Sequence, residues 1–181
     1  MDVNRIVITS SLAGTMPPGV SLPGFLQVSE VVALNESGVD QARAGLATAT
    51  GTSFPGSNPN NAIDGIAPAA FADIYHSATS SGSESLVIDF ITPFKLTALS
   101  IFGRLASDAI EARDVYDVEI FNSQDVGIFS AFNQSAVNND NVAIVRLPGA
   151  AVIPVPAALP LFASALGVLG GLGWRRKRAL A

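Results

Sequence analysis

A single imidazole, His76, and the absence of any thiol bound the chemistry of this 181-residue chain. Without cysteine there is no thiolate nucleophile and no Cys-based zinc site. One histidine excludes a His-rich zinc site and an HExxH helix, and a Ser-His-Asp triad would have to use His76. Asp108, Glu111 and Asp114 form an acidic cluster, but a paired-carboxylate glycosidase needs two carboxyls facing across a cleft, and spacing alone does not set that geometry. No glycine-rich phosphate loop is present. Nothing marks a nucleophile or an oxyanion hole. The remaining polar residues have plain roles open to them. Arg104 could pair with Asp108 or Glu111, and Arg113 with Asp114 or Asp117, exposed pairs worth ~0–1 kcal/mol. Asp64 could cap its own Asp-Gly turn, Glu30 could be a solvated strand residue, and His76 could satisfy a loop carbonyl.

Charge is spread unevenly. Arg175, Arg176, Lys177 and Arg178 supply four of the ten basic side chains, so the chain up to Trp174 carries six basic against fifteen acidic ones. A body that acidic repels phosphate backbones, which argues against nucleic acid as a partner.

The elements that must position these residues read as strands. Glycine (16) and proline (11) punctuate short apolar runs, the pattern of an all-β domain. The expected strands are Arg5–Thr9, Gln27–Leu34, Ala47–Thr50, Leu86–Phe90, Leu96–Arg104, Val115–Asn122, Gly127–Phe132 and Val142–Leu147. In Val115–Asn122 the alternation turns Tyr116, Val118 and Ile120 to the core and Asp117 and Glu119 to water. Leu86, Ile88 and Phe90 share one face. No segment before residue 150 keeps a helical period, and no repeat is visible. Two packed antiparallel sheets with ligand loops at one end are expected.

The C-terminus has another character. No charge falls between Leu147 and Trp174, and Ala157–Trp174 is an 18-residue apolar run. As a helix it would span ~27 Å, enough for a thin hydrocarbon core. Pro160 would sit in its first turn, Trp174 at the lipid boundary, and the Arg175–Arg178 cluster on the cytoplasmic side, leaving residues 1–150 outside the inner membrane. The segment from Val155-Pro156-Ala157-Ala158-Leu159-Pro160-Leu161-Phe162 through the apolar run, Trp174, Arg175, Arg176, Lys177 and Arg178 resembles a PEP-CTERM sorting signal. The resemblance implies a Gram-negative source, export, processing by an exosortase, transient anchoring in the inner membrane, and delivery to the cell surface or extracellular matrix. Such proteins also carry a leader. Met1-Asp2-Val3-Asn4-Arg5 is not one, so the leader is expected upstream or behind a different start codon. The organisation expected is a domain over 1–148, a linker with the proline motif over 149–156, a transmembrane helix over 157–174 and a basic tail over 175–181.

A second resemblance lies in the loops. Ser57-Asn58-Pro59-Asn60-Asn61-Ala62-Ile63-Asp64-Gly65 precedes Ile74-Tyr75-His76-Ser77 and Leu86-Val87-Ile88-Asp89-Phe90. Then come Leu99-Ser100-Ile101-Phe102-Gly103-Arg104 and Arg113-Asp114-Val115-Tyr116-Asp117-Val118. This order is similar to the fucolectin and discoidin (coagulation-factor C-type) group, galactose-binding-like jelly-roll β-sandwiches, over residues 26 to about 147. Leu26–Leu34 resembles the strand that usually closes such domains and Arg5–Ile8 another of their late strands, so the sandwich is expected in cyclically permuted order. The resemblance implies a structural calcium held by the carboxylates of Glu30 and Asp64 with carbonyls of Ser29, Asn61 and Ile66, a donor set suited to a hard cation. It implies a sugar site of His76, Arg104 and Arg113, with guanidinium and imidazole donors meeting sugar oxygens and Tyr75 a candidate for stacking. The loop from Arg104 to Arg113 lacks the adjacent cysteines of that group.

Two functional expectations follow. The first is a non-catalytic, lectin-like carbohydrate-binding module, exported and directed to an exopolysaccharide or surface glycan. The second is a structural or adhesive matrix protein that binds protein or lipid through the same loops.

Overall fold

Alternation of apolar side chains builds the body, and the computed structural model describes it over residues 1–106 and 108–148, with no account of the side chains of 108 and 109. In chain order the strands are β1 (Asp2–Ser10), β2 (Gln27–Val28), β3 (Glu30–Asn35), β4 (Leu46–Ala49), β5 (Tyr75–His76), β6 (Leu86–Phe102), β7 (Val115–Phe121), β8 (Gly127–Ser135) and β9 (Val142–Val145). One helical turn, α1 (Asp108–Glu111), and two 3-10 turns at Ala42–Ala44 and Pro59–Ile63 complete the inventory among the described residues. The protein is all-β. The expected transmembrane helix, the proline motif and the basic tail lie outside the described residues, and among the described ones no helix is long and apolar enough to cross a membrane.

The strand β6 belongs to two arrays. Its first half pairs antiparallel with β1 and β4, and β1 continues through β7 to β8, giving the order β4-β6-β1-β7-β8. Its second half lies between β3 and β9. The handover falls at Ile91-Thr92-Pro93, all exposed. Pro93 has no N–H for the ladder, and the β1 register slips here between Val3↔Phe94 and Arg5↔Asp89. The sequence pattern gave two strands, Leu86–Phe90 and Leu96–Arg104. They are one, because the backbone stays extended through the switch. Conversely, the expected strand Gln27–Leu34 divides at Ser29, whose N–H and hydroxyl both turn to Phe102 O (2.8 and 3.3 Å).

The apolar faces of both arrays meet in one core. Ile6, Ile8, Ile88, Val118 and Ile120 come from the larger array, and Val31, Ala33, Leu99, Ile101, Ala143 and Val145 from the smaller. Leu86, Ile88 and Phe90 are buried, as are Tyr116, Val118 and Ile120, each set on the face its alternation predicts. Each large side chain so buried contributes roughly 1.5–3 kcal/mol. β2 and β5 pair separately, Gln27 opposite His76 and Val28 opposite Tyr75.

Candidate ligand-binding site

Short strands and clamped loops bring the basic residues together. His76 is on β5. Its N–H donates to Ser57 Oγ (2.7 Å), whose hydroxyl donates to Ile74 O (2.9 Å). Its carbonyl accepts Phe54 N–H (2.8 Å), so the 53–57 loop is laced to β5. Leu26 N–H donates to Ser77 Oγ (3.0 Å) and Ser77 N–H to Leu26 O (2.9 Å), which fixes Phe25 on the other side. Arg104 and Arg113 close the two ends of the loop between β6 and β7. Asp114, 1 % exposed, ties that neck: its Oδ2 accepts Arg104 N–H at 2.8 Å. Leu105 N–H then donates to Ala69 O (2.8 Å), joining this loop to the one that carries Phe71.

The result is a basic cluster set in aromatic rings. The His76 ring lies 5.2 Å from Phe25, 5.0 Å from Phe54 and 6.0 Å from Phe71, centroid to centroid. Arg104 Cζ stands 5.6 Å over Phe71, and Arg113 Cζ 5.6 Å over Phe25, both within cation–π range. Phe54 and Phe71 keep 42 % and 37 % of their surface exposed, whereas His76 and Arg113 keep 6 % and 5 %. Tyr75, the residue expected to stack on a ligand, is fully buried on the other side of its strand and cannot do so. The rings that do flank His76, Arg104 and Arg113 are those of Phe25, Phe54 and Phe71. The sequence signal for them was an aromatic residue in Gly- and Pro-bearing loop segments, as in Pro23-Gly24-Phe25 and Phe54-Pro55-Gly56.

Electrostatics assign the roles. Burial, the Arg104 charge and the Arg113 charge push the His76 ring below its ordinary value, against the pull of its bond to Ser77 O. His76 is therefore neutral near neutrality. Its Nδ1 lies 2.6 Å from Ser77 O, which can only accept, so Nδ1 carries the proton and Nε2 is an acceptor. The free ring nitrogen of His76 is thus an acceptor, where a donor was expected. Burial first, then Arg104, lowers Arg113, though a guanidinium remains charged. Buried Nε atoms of both Arg104 and Arg113 have no hydrogen-bond partner. Among the described side chains neither arginine forms an ion pair, so the pairings open to Arg104 with Glu111 and to Arg113 with Asp114 or Asp117 are not made. Glu111 Oε1 instead accepts Ala106 N–H (3.2 Å).

Glu30 and Asp64 lie near enough at the end of the Pro59–Ile63 turn for the Asp64 charge to act on Glu30. Glu30 is 1 % exposed rather than solvated, and its Oε2 accepts Gly65 N–H at 2.9 Å. Its Oε1 is buried without a partner. Burial, together with the Asp64 and Asp40 charges, pushes the Glu30 carboxyl up to about 7, against the Gly65 bond and the Arg43 charge. Asp64 is exposed and does cap its own turn, Oδ1 accepting Ile66 N–H at 2.9 Å. Arg43 Nη2 donates to Asp64 O (3.3 Å). Of the carbonyl donors expected, Ser29 is buried beside Glu30, Asn61 lies in the 3-10 turn with its amide donating to Ala72 O (3.0 Å), and Ile66 follows Gly65 on the surface. No cluster of three or more imidazole or carboxylate ligands exists among the described residues. The orphaned Glu30 Oε1 beside Asp64 nevertheless fits a hard cation that completes its shell with carbonyls.

Two guanidinium forks, one imidazole acceptor and apolar ring faces make a surface that can grip a polyhydroxylated ring by its oxygens and its C–H face. No protein-family model, curated protein or solved structure matches the chain.

Proposed function

We propose that this chain is an exported, non-catalytic carbohydrate-binding module whose target is an exopolysaccharide or surface glycan. The observation that carries this reading is the convergence of His76, packed against Phe25, Phe54 and Phe71, with Arg104 over Phe71 and Arg113 over Phe25. The serine hydroxyls next to His76 are committed to the backbone, Ser57 to Ile74 O and Ser77 to Thr79 O (2.8 Å), which fits binding rather than turnover. The galactose-binding-like jelly roll in cyclically permuted order is part of the proposal. Its support is the place of β1, which enters first in the chain yet lies between β6 and β7. Calcium belongs to the proposal too: Glu30 and Asp64 would hold it, and it would neutralise the Glu30 charge and stiffen the 58–66 loop, lowering the ordering cost of binding. So does the sorting route, in which the PEP-CTERM-like tail, Pro156 and Trp174 included, would be cut by an exosortase.

The test is glycan-array and polysaccharide pull-down binding by the full chain with calcium present. Wild type retains glycan, and Arg104→Ala and Arg113→Ala do not. Absence of binding to any glycan under these conditions overturns the reading. A second reading, a structural or adhesive matrix protein, is favoured by the β8 edge, which is uncharged and bears the exposed side chains Ile128 and Phe132. Capture of a matrix protein that is insensitive to Arg104→Ala distinguishes it.

A further inference from the structure

Among the described side chains, which do not include that of Asp108, the charges at the site do not balance. Arg113 is 5 % exposed, and its Nε has no partner. Arg104 is near enough to weaken the protonation of both Arg113 and His76. His76 adds no charge and offers an acceptor. Among the described side chains the carboxylate whose charge reaches Arg113 is Asp114. That side chain is spent on Arg104 N–H and lies beyond ion-pair distance of either guanidinium. Its Oδ1 is buried and unpartnered, and burial pushes its carboxyl above the ordinary range, so it makes no ion pair with Arg113. The body as a whole is acidic, yet its two half-buried or buried guanidiniums stand together without a counter-ion among the described side chains. Uncompensated buried charge is costly, and a ligand that supplies the missing anion recovers that cost on binding.

We propose that the site takes an acidic sugar, a uronic-acid residue whose carboxylate bridges Arg104 and Arg113 while its ring lies against Phe54 and Phe71 and one hydroxyl donates to His76. This rests on the carbohydrate-binding reading and narrows it. A carboxylate matches the planar guanidinium fork, which forms short, charge-assisted pairs. The rings argue for a sugar face beside the anion, because a bare anion has no use for two exposed phenylalanines. The acidic body repels a long polyanion laid across it, which favours a terminal or isolated acidic residue entering the site end-on.

Isothermal titration of the full chain, kept in detergent with calcium, tests this with methyl glucuronide and methyl galacturonide against methyl glucoside and methyl galactoside. The expected result is a preference of about tenfold or more for the acidic member of each pair, as one charge-assisted contact gives. Arg104→Gln and Arg113→Gln abolish the preference. Because Arg113 is buried, its variant can fail to fold; the half-buried Arg104→Gln, checked by its melting curve, keeps the test decisive. Equal binding of neutral and acidic glycosides overturns the acidic assignment and leaves the carbohydrate reading standing. Tighter binding of a sulfated galactoside than of the uronides overturns the carboxylate assignment alone. Sodium acetate or an acidic peptide binding as well as the uronides, with no neutral glycoside bound, overturns both readings, as does no binding at all.

Discussion

Replacing Glu30 with Gln separates a proton from a cation at the same carboxyl. Glu30 is 1 % exposed, and desolvation first, then the Asp64 and Asp40 charges, pushes it from 4.5 to about 7. The folded state therefore keeps a proton that the unfolded chain gives up at lower pH. Unfolding releases that proton between 4.5 and about 7, so this contribution is whole below 4.5 and is lost as pH rises to about 7. At 1.36 kcal/mol per pKa unit the full loss is about 3 kcal/mol. Glu30→Gln carries no charge, and its amide oxygen can accept the Gly65 N–H that Oε2 accepts now. In chelator, urea denaturation of the two proteins should coincide at the acid end of the window. Above it the variant should be more stable by up to about 3 kcal/mol. Calcium should act only on wild type, adding about 2.7 kcal/mol at a hundredfold excess over its dissociation constant. Parallel pH profiles in chelator would refute the burial argument. Equal stabilisation of both proteins by calcium would place the cation elsewhere.

Three further outcomes are expected. Gly103→Ala puts a Cβ where the Asp114 carboxylate sits, so it should cost about 1–3 kcal/mol in denaturation and abolish glycan binding by freeing the neck at Arg104; an unchanged melt and unchanged affinity would contradict this. Tyr116→Phe removes the fully buried bond from the Tyr116 hydroxyl to Gln27 O (2.7 Å) and should cost about 1–3 kcal/mol, with the carbonyl left dry; a loss under half of that would mean water reaches it. Ile88→Ala should cost about 2–5 kcal/mol in the same assay, while Arg5→Ala, which breaks partly exposed pairs with Asp89 and Asp125 (2.6 Å each), should cost no more than about 1 kcal/mol. Reversal of that order would show that charge, not packing, holds β1 in place.

Periodicity exposed the sheet because side-chain alternation is a local property: Tyr116, Val118 and Ile120 had to face one way whatever lay beyond them. It failed where the cause was not local. Pro93 read as a break between two strands, since its missing N–H is a local fact, while the second array that takes up β6 beyond it is not. β5 is two residues long, too short for any period to show. At the site, His76, Arg104 and Arg113 were legible through the order of motifs along the chain. Phe25, Phe54 and Phe71 were not, because their convergence depends on tertiary bonds such as Phe54 N–H to His76 O and Leu105 N–H to Ala69 O. Tyr75 is next to His76 in sequence yet buried away from it, because strand geometry sends successive side chains to opposite sides. The neutrality of His76 was likewise invisible, since it comes from burial and two arginines distant along the chain.

The sharing of β6 has a consequence for how the body comes into being. β1 and β3 are made early, yet each waits for the same late segment, in pairings as remote as Val3 with Phe94 and Glu30 with Phe102. Such separations are paid in loop entropy before any contact rewards them, which slows folding relative to a chain of local contacts. Only once Leu86–Phe102 is in place do β1, β3 and β4 find the partner they share.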